Sequence, residues 1–308
     1  MNNWKLPTVD TVNMKTGKTA QSQWIGWFPL VALPASALGL RNILPPWGFM
    51  WLLAFSIYAA LKWLTWWRVR KEISHAAWRS AAYLVAWPGM DAEPFLDSNR
   101  HAGPVPSRAW FSAIFETALG ATCLWSIARV IPESAPLLRG WLGMLGLTLL
   151  LHFGSFQLLA LIWQSLGVAA TPIMSAPSCS KSLSEFWGKR WNLGFRQLSH
   201  DLIFRPLHRS LGASGGGFLV FIVSGLLHDL IISVPSRGGY GLPTLYFVLQ
   251  GTGVAIERSS VGRHLGLRDG VRGWLFMAVV TATPAFWLFH PPFVRNVILP
   301  FMKAIHAL

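Results

Sequence analysis

Residues 218–234 read FLVFIVSGLLHDLIISV, and this stretch decides the class of fold that we expect. His228 and Asp229 are its only ionisable side chains, and the remaining residues are apolar except for two serines. A helix needs about 20 predominantly apolar residues to cross a bilayer. Together with the glycines before it, the stretch predicts a membrane-spanning helix over Gly216–Val234 with a histidine inside it.

The composition of the whole chain is that of a membrane protein. Of 308 residues, 53% are hydrophobic and only 12% are charged, and the mean hydropathy is +0.42. Soluble domains carry about a quarter charged residues, so an ordinary soluble globule is excluded. The formal charge of +14 would indicate nucleic-acid binding in a soluble protein, but here it indicates cationic loops and anionic lipid. Cys123 and Cys179 match no metal or disulfide spacing, and we predict no metal site.

Uncharged stretches predict the other spans. We expect an all-α integral membrane protein, a bundle of about seven to eight transmembrane helices forming a single domain over residues 1–308. We expect residues 1–23 to be a polar N-terminal tail without the apolar core of a signal peptide, and residues 169–215 to be a cytoplasmic, amphipathic, catalytic loop. A further span would lie near 76–87 or within 169–180. The predicted spans are Ile25–Leu40, Asn42–Leu61, Ala109–Ile131, Trp141–Val168, Gly216–Val234, Leu242–Ile256 and Gly273–Phe289.

Lysine and arginine are distributed unequally between the two sides of this predicted bundle. The tail, the segment after the second span, the loop 169–215 and the loop after Leu242–Ile256 carry most of them. Cytoplasmic loops are the cationic ones, so we predict a multi-pass protein with its N-terminus in the cytoplasm, in a bacterial inner membrane or the endoplasmic reticulum. The opposite side holds few cations: Arg41, Arg139, Arg237, Arg295 and Lys303, with Arg129 near that end of its helix.

The stretch SLSEFWGKRWNLGFRQLSHDLIFRPLHR, residues 182–209, has an unusual composition for a linker because aromatic and basic residues alternate in it. One interpretation is an amphipathic helix in the headgroup region that binds anionic lipid. The other is a site that grips a phosphate-bearing ligand at the cytoplasmic face, since guanidinium groups match phosphate oxygens. Nucleic acid is not expected as a ligand, because spans flank the loop closely. The candidate phosphate-binding residues are Lys189, Arg190, Arg196 and Arg205.

His228 is the candidate for chemistry inside the membrane. Ionisable groups within a span are expensive and usually functional, and a neutral histidine can accept a proton from a substrate hydroxyl. Ser224, four residues earlier, lies on the same helical face. The alternative is a structural histidine bonded to a neighbouring helix, which is the interpretation we favour for His152.

Four segments together resemble the membrane-bound O-acyltransferase family, in particular its wax synthase-like branch. They are AWPGMDAEPFL at residues 86–96, SLSEFWGKRWN at 182–192, FRPL at 204–207 and SGLLHDL at 224–230. The resemblance implies that Asn192 and His228 form the catalytic pair. It also implies a helical bundle around a tunnel that coenzyme A enters from the cytosol and the acceptor from the bilayer. Asp229 departs from the family, where glutamate commonly follows the histidine, and the region before Tyr83 matches nothing.

The sequence thus predicts an enzyme that moves an acyl group from acyl-CoA, its co-substrate, to the hydroxyl of a lipophilic alcohol. No cofactor is expected. His228 would act as general base, Asn192 would position the thioester or donate to its oxyanion, and the cationic residues named above, with Trp191 and Ser224, would bind substrate. Membrane lipids are further partners, and nucleic acid is not. Two alternatives stay open: a transporter or lipid-binding protein without chemistry, and, within the enzyme class, acetyl transfer to a natural-product hydroxyl rather than wax ester, acylglycerol or sterol ester synthesis.

Overall fold

The computed structural model describes residues 20–308, and its regular elements in that range are all helices. The cations of the predicted tail, Lys5, Lys15 and Lys18, lie outside the described residues. In chain order the helices are α1 Ala20–Gly39, α2 Pro46–Val69, α3 Ala77–Ala86, α4 Ala92–Leu96, α5 Ser107–Val130, α6 Pro136–Ser165, α7 Leu183–Glu185 with its π-helical continuation Phe186–Arg190, α8 Leu193–Ser236, α9 Leu242–Arg258, α10 Ser260–His264, α11 Gly270–Leu288, α12 Pro291–Phe293 with the π-helix Val294–Ile298, and α13 Leu299–Ala304.

Five of the described helices are long and apolar enough to cross a bilayer, namely α2, α5, α6, α8 and α11. The predicted spans Ile25–Leu40 and Leu242–Ile256 are also helical, but they are shorter. The apolar part of α1 is Trp24–Gly39, and α9 has 17 residues. The all-helical membrane architecture is therefore confirmed, whereas the count of seven to eight spans stays a prediction.

The outer faces of the bundle are apolar, as expected for helices in contact with lipid. Phe28, Phe111, Val130 and Val271 are each at least 69% exposed. Inside the bundle, small residues allow close helix packing. A Cβ on Gly120 of α5 would lie 2.4 Å from the backbone nitrogen of Leu150 in α6. Because no side chain fits there, the backbones of α5 and α6 are in direct contact.

The predicted loop 169–215 contains more helix than the sequence indicated. Between α6 and α7 the backbone is irregular apart from a 3₁₀ turn at Pro177–Cys179. Helix α8, however, begins at Leu193, far ahead of the predicted span start at Gly216. It is broken at Gly212, whose φ of 68° is non-helical. The predicted amphipathic stretch is thus divided into α7 and the first turns of α8, rather than forming one interfacial helix.

The segment that contains Trp87 and Gly89 is held against α2. The hydroxyl of Tyr58 donates to the carbonyl oxygen of Trp87 at 3.0 Å, and the ammonium of Lys62 donates to that of Gly89 at 2.7 Å. Lys62 is 1% exposed, and its Nζ also lies 3.1 Å from the ring centroid of Tyr83. Two polar side chains of a membrane helix thereby satisfy two backbone carbonyls of an irregular segment.

Candidate active site

Polar residues of the motif at 182–192 cap the N-terminus of α7. The hydroxyl of Ser182 accepts a hydrogen bond from the backbone N–H of Glu185 at 3.1 Å. In return, the Glu185 carboxylate accepts one from the backbone N–H of Lys181 at 2.8 Å. This reciprocal arrangement is close to a capping box. The N–H of Lys181 and the guanidinium of Arg190 hold the pKa of Glu185 below its usual range.

The guanidinium group of Arg190 is bound by residues of the same loop. Its guanidinium pairs with the Glu185 carboxylate at 2.7 Å and donates to the carbonyl oxygen of Ser175 at 3.2 Å. The predicted phosphate contact of Arg190 stays a prediction, and it would have to compete with this ion pair. The other three candidates are different, because they are exposed and form no ion pair with any described residue: Lys189, Arg196 and Arg205.

Asn192 turns the chain between α7 and α8. Its φ of 44° lies in the left-handed region, which asparagine tolerates better than most residues. Its Oδ1 accepts from the backbone N–H of Phe195 at 3.2 Å and so caps α8. Its amide nitrogen Nδ2 makes no hydrogen bond to any described residue. Asn192 therefore has a structural function through its oxygen, while its two N–H donors have no partner among the described residues.

A chain of aromatic rings leads from the motif to the intramembrane histidine. Trp191 stacks on Phe186 with ring centroids 5.4 Å apart. Trp187, which follows Phe186 in the chain, packs against Phe247 of α9 with ring centroids 5.7 Å apart. Phe247 in turn packs against His228 at 4.5 Å. The structure thus connects FWGKRWN with SGLLHDL through side-chain contacts, although no hydrogen bond joins Asn192 to His228.

Sequence reasoning missed the two residues of α9 that complete this chain, Phe247 and Gln250. Gln250 is fully buried; its Oε1 accepts from the indole N–H of Trp187 at 3.3 Å, and its Nε2 donates to the carbonyl oxygen of Val280 at 2.8 Å. A glutamine in the middle of an apolar helix is the signal that would have indicated Gln250. Phe247 carried no such signal, since an aromatic residue in a span is ordinary.

The ring of His228 is oriented by its own helix. Its Nδ1 lies 2.7 Å from the carbonyl oxygen of Ser224. A carbonyl oxygen only accepts, so we assign the proton to Nδ1 and the free lone pair to Nε2. Ser224 thus contacts the histidine through its backbone rather than through its hydroxyl. This tautomer is the one that can take a proton from a hydroxyl group at Nε2.

Asp229 fastens α8 to the start of α9. Its carboxylate accepts hydrogen bonds from the hydroxyl of Ser233 at 2.8 Å, the N–H of Gly241 at 2.8 Å, and both the N–H, at 3.1 Å, and the hydroxyl of Thr244. A Cβ on the nearby Gly225 would lie 2.7 Å from the Cα of Thr244. Asp229 and Gly225 therefore set the position of α9, and with it the ring of Phe247 beside His228.

The segment around Gly89 lies against the beginning of α8, close to Asn192. A Cβ on Gly194, two residues after Asn192, would lie 3.0 Å from the backbone nitrogen of Met90. Close by, burial raises the pKa of Asp91 to about 6, and the charges of Glu93 and Asp201 act in the same direction. The WPG segment is therefore packed against the turn that Asn192 forms.

A groove between α8 and α9 does not reach His228. It has a volume of about 530 Å³ and is lined by Leu226, Asp229 and Leu230 on the other face of α8, together with residues of α9. The predicted tunnel to His228 stays a prediction. Within residues 20–308, no three His, Cys, Asp or Glu side chains are grouped as metal ligands.

Comparison with known proteins supports the resemblance seen in the motifs. Residues 170–249 match the model of the membrane bound O-acyl transferase family. The chain is 31% identical over 144 residues to the long-chain-alcohol O-fatty-acyltransferase of Simmondsia chinensis, covering 43% of this chain and 41% of that protein. It is 33% identical over 151 residues to probable long-chain-alcohol O-fatty-acyltransferase 2 of Arabidopsis thaliana, covering 44% and 43%. With acyl-CoA–sterol O-acyltransferase 1 of Arabidopsis thaliana it shares 28% over 136 residues, covering 40% and 39%.

These matches span about two-fifths of the length of the relatives. The family match includes Asn192, His228 and Phe247, which are the cap, the histidine and the ring beside it. The similarity to the wax synthase-like branch that the motifs predicted is thereby confirmed.

Proposed function

We propose that this chain is a membrane-bound O-acyltransferase that moves an acyl group from acyl-CoA to the hydroxyl of a lipophilic alcohol. The observation that carries the proposal is the orientation of His228. Its Nδ1–H is held by the Ser224 carbonyl, which leaves Nε2 as an acceptor inside a spanning helix. The relatives supply the reaction class, since their names specify acyl transfer to alcohols and to a sterol.

In the proposed reaction, His228 Nε2 takes the hydroxyl proton of the alcohol as its oxygen attacks the thioester carbonyl carbon. The tetrahedral intermediate then collapses, the carbon–sulfur bond breaks, and the departing thiolate receives the proton from His228. The products are an ester and free coenzyme A. General-base catalysis of this kind contributes about 10²–10⁴-fold to the rate.

Asn192 is the proposed donor to the intermediate. Its Nδ2 is unoccupied, while its Oδ1 is held by the N–H of Phe195, so the amide has a fixed orientation. A preorganised oxyanion donor is worth on the order of 3 kcal/mol of transition-state stabilisation. Trp191 stacked on Phe186 offers an apolar surface next to this donor.

The cationic surface at the end of α7 and the start of α8 is the proposed binding site for the phosphates of coenzyme A. Lys189, Arg196 and Arg205 are exposed and without an ion-pair partner among the described residues, so they are available to a polyanion at no cost in internal contacts. For Arg190 we propose that phosphate binding is secondary to its ion pair with Glu185. Salt would weaken donor binding at exposed charges of this kind.

A long-chain alcohol is the acceptor that we propose first, because the proteins named above are assigned to that substrate more often than to a sterol. Acetyl transfer to a natural-product hydroxyl is the competing activity within the enzyme class. For either activity, we propose that the protein lies in a membrane with its N-terminus in the cytoplasm, where acyl-CoA is found.

The test is coenzyme A release by purified protein, with acyl donors of two to eighteen carbons offered to long-chain alcohols and to sterols. We expect release with long-chain donors and alcohols, and a loss of about 10²-fold or more in His228→Ala. His152→Leu is the matched control, since His152 is also intramembrane and its Nδ1 is buried without a described partner. If no coenzyme A were released with any donor and acceptor, a transporter or lipid-binding protein would be favoured. Full activity in His228→Ala would exclude the general base.

A further inference from the structure

Two arginines from the side of the bundle with few cations lie at one pocket. Arg41 is in the turn between α1 and α2, and Arg237 directly follows α8. Both line a pocket of about 220 Å³, together with Asn42 and Phe49. Both are exposed, and neither side chain forms an ion pair or a hydrogen bond with any described residue. Two arginines without an ion-pair partner among residues 20–308 thus line one small cavity.

This pocket adjoins the 530 Å³ groove between α8 and α9, because Val234 and Tyr240 line both. Beyond these two residues the groove is formed mainly by aliphatic side chains: Leu226, Leu230, Leu245 and Val248. The carboxylate of Asp229 also lies there, but its oxygens are occupied by Ser233, Gly241 and Thr244. The combined cavity is therefore cationic at one end and apolar along its length.

The length of the groove is comparable to the thickness of the hydrocarbon layer in one lipid leaflet. From Val234 to Leu226 the helix rises about 12 Å, compared with about 15 Å for half of the hydrocarbon core. Arg41 and Arg237 lie in turns at the ends of helices, so a bilayer spanned by α2 and α8 would have a phosphate layer near them. An acyl chain in the groove would consequently place a lipid phosphate at the two arginines.

We infer that this composite site binds a membrane phospholipid, with the phosphate between Arg41 and Arg237 and one acyl chain in the groove. Guanidinium groups bind phosphate oxygens through charge-assisted, often bidentate hydrogen bonds. A free anion would leave the apolar groove empty, and an uncharged lipid would leave both arginines unpaired. His228 does not line either cavity, so this lipid is distinct from the proposed acceptor.

The experiment measures phospholipid that remains bound to the protein after purification in mild detergent, by native mass spectrometry and by lipid phosphorus per mole of protein. The test variant is Arg41→Gln/Arg237→Gln. The matched control is Arg295→Gln/Lys303→Gln, which removes two exposed cations that the sequence places on the same side. We expect the test variant to bind added phosphatidylglycerol about tenfold more weakly than wild type, and the control to bind it like wild type.

Two further arms separate the sources of phosphate. Val248→Trp fills the groove without changing a charge, and it should reduce phosphatidylglycerol binding while both arginines remain. Inorganic phosphate, offered to delipidated wild-type protein, should raise the melting temperature much less than phosphatidylglycerol does. Equal binding in wild type and the double arginine variant would overturn the inference, as would an equal loss in the control. A phosphate effect as large as that of the lipid, with no effect of Val248→Trp, would reduce the site to an anion site.

Discussion

The ammonium group of Lys62 donates a 2.7 Å hydrogen bond to the carbonyl oxygen of Gly89. This contact fixes the WPG segment to α2, and on its far side Met90 abuts Gly194 beside the Asn192 turn. Lys62→Met keeps the length of the side chain but leaves the carbonyl without this donor. An unsatisfied buried acceptor costs about 1–3 kcal/mol, so we expect a lower melting temperature. The exposed Lys303→Met is the control; equal melting of both variants with wild type would show that the contact is dispensable.

Asn192 combines a helix cap with a proposed donor, and these can be separated by substitution. Asn192→Asp keeps an oxygen for the N–H of Phe195 but loses the amide donor. We expect a melting temperature near that of wild type and a kcat lower by about 10²–10³-fold. Asn192→Ala should lose both, with about 1 kcal/mol less stability from the missing cap. A kcat for Asn192→Asp equal to that of wild type would leave Asn192 with a structural role alone.

Asp229 is expected to act through the position of α9. Asp229→Asn replaces one accepting oxygen by an N–H₂ group that faces other donors, so we expect a clear loss of stability, of about 1.5–3 kcal/mol for each charged hydrogen bond lost. Thr244→Val removes the hydroxyl donor and keeps the backbone one, and its loss should be smaller. Melting temperature and kcat measured on both variants should fall in the same order. The reverse order would contradict the assignment of Asp229 as the anchor.

Asp91 predicts an unusual pH dependence of stability. Burial raises its pKa to about 6, well above the usual range of an aspartate, so the folded protein favours the protonated carboxyl. The unfolded chain releases this proton more readily, and the fold therefore loses stability as the pH rises from 4 through 6. Asp91→Asn removes that loss, and we expect it to be more stable than wild type at pH 7, by about 1–2 kcal/mol after allowance for partial exposure.

Thermal melting at several values between pH 5 and pH 8 measures this difference for Asp91→Asn. Glu133→Gln is the matched control, because the Glu133 side chain is 88% exposed. A constant difference between wild type and Asp91→Asn over that range would contradict the raised pKa.

The spans were predictable from uncharged stretches, but their ends were not. The second span was predicted to end at Leu61 because Lys62 follows it. In the structure α2 continues to Val69, since the Lys62 ammonium is buried against Gly89 and Tyr83. A charge marks the end of a span only when it reaches water. A carbonyl 27 positions away along the chain is not a partner that sequence spacing reveals.

Candidate residues could be predicted where they belong to a local sequence motif. Contacts that depend on the packing of another helix could not be predicted. Asn192 and His228 were identified from their motifs, but the pairing of Glu185 with Arg190 joins residues five apart. The π-helix over Phe186–Arg190 brings them together, and a regular α-helical period would not. Phe247 reaches His228 only because α9 packs on α8, which is a tertiary contact.

The close approach of Gly225 to Thr244 also limits how the sequence can change over generations. Any side chain at position 225 would push α9 outward and separate Phe247 from His228, so the ring contact depends on a glycine that does not itself touch either ring. Residues on the other faces of α8 and α9 are not under this constraint, whereas positions 225 and 244 can change only in a way that keeps their close contact. Among relatives, a residue larger than glycine at position 225 should therefore be accompanied by a change at position 244 or in the packing of the two helices.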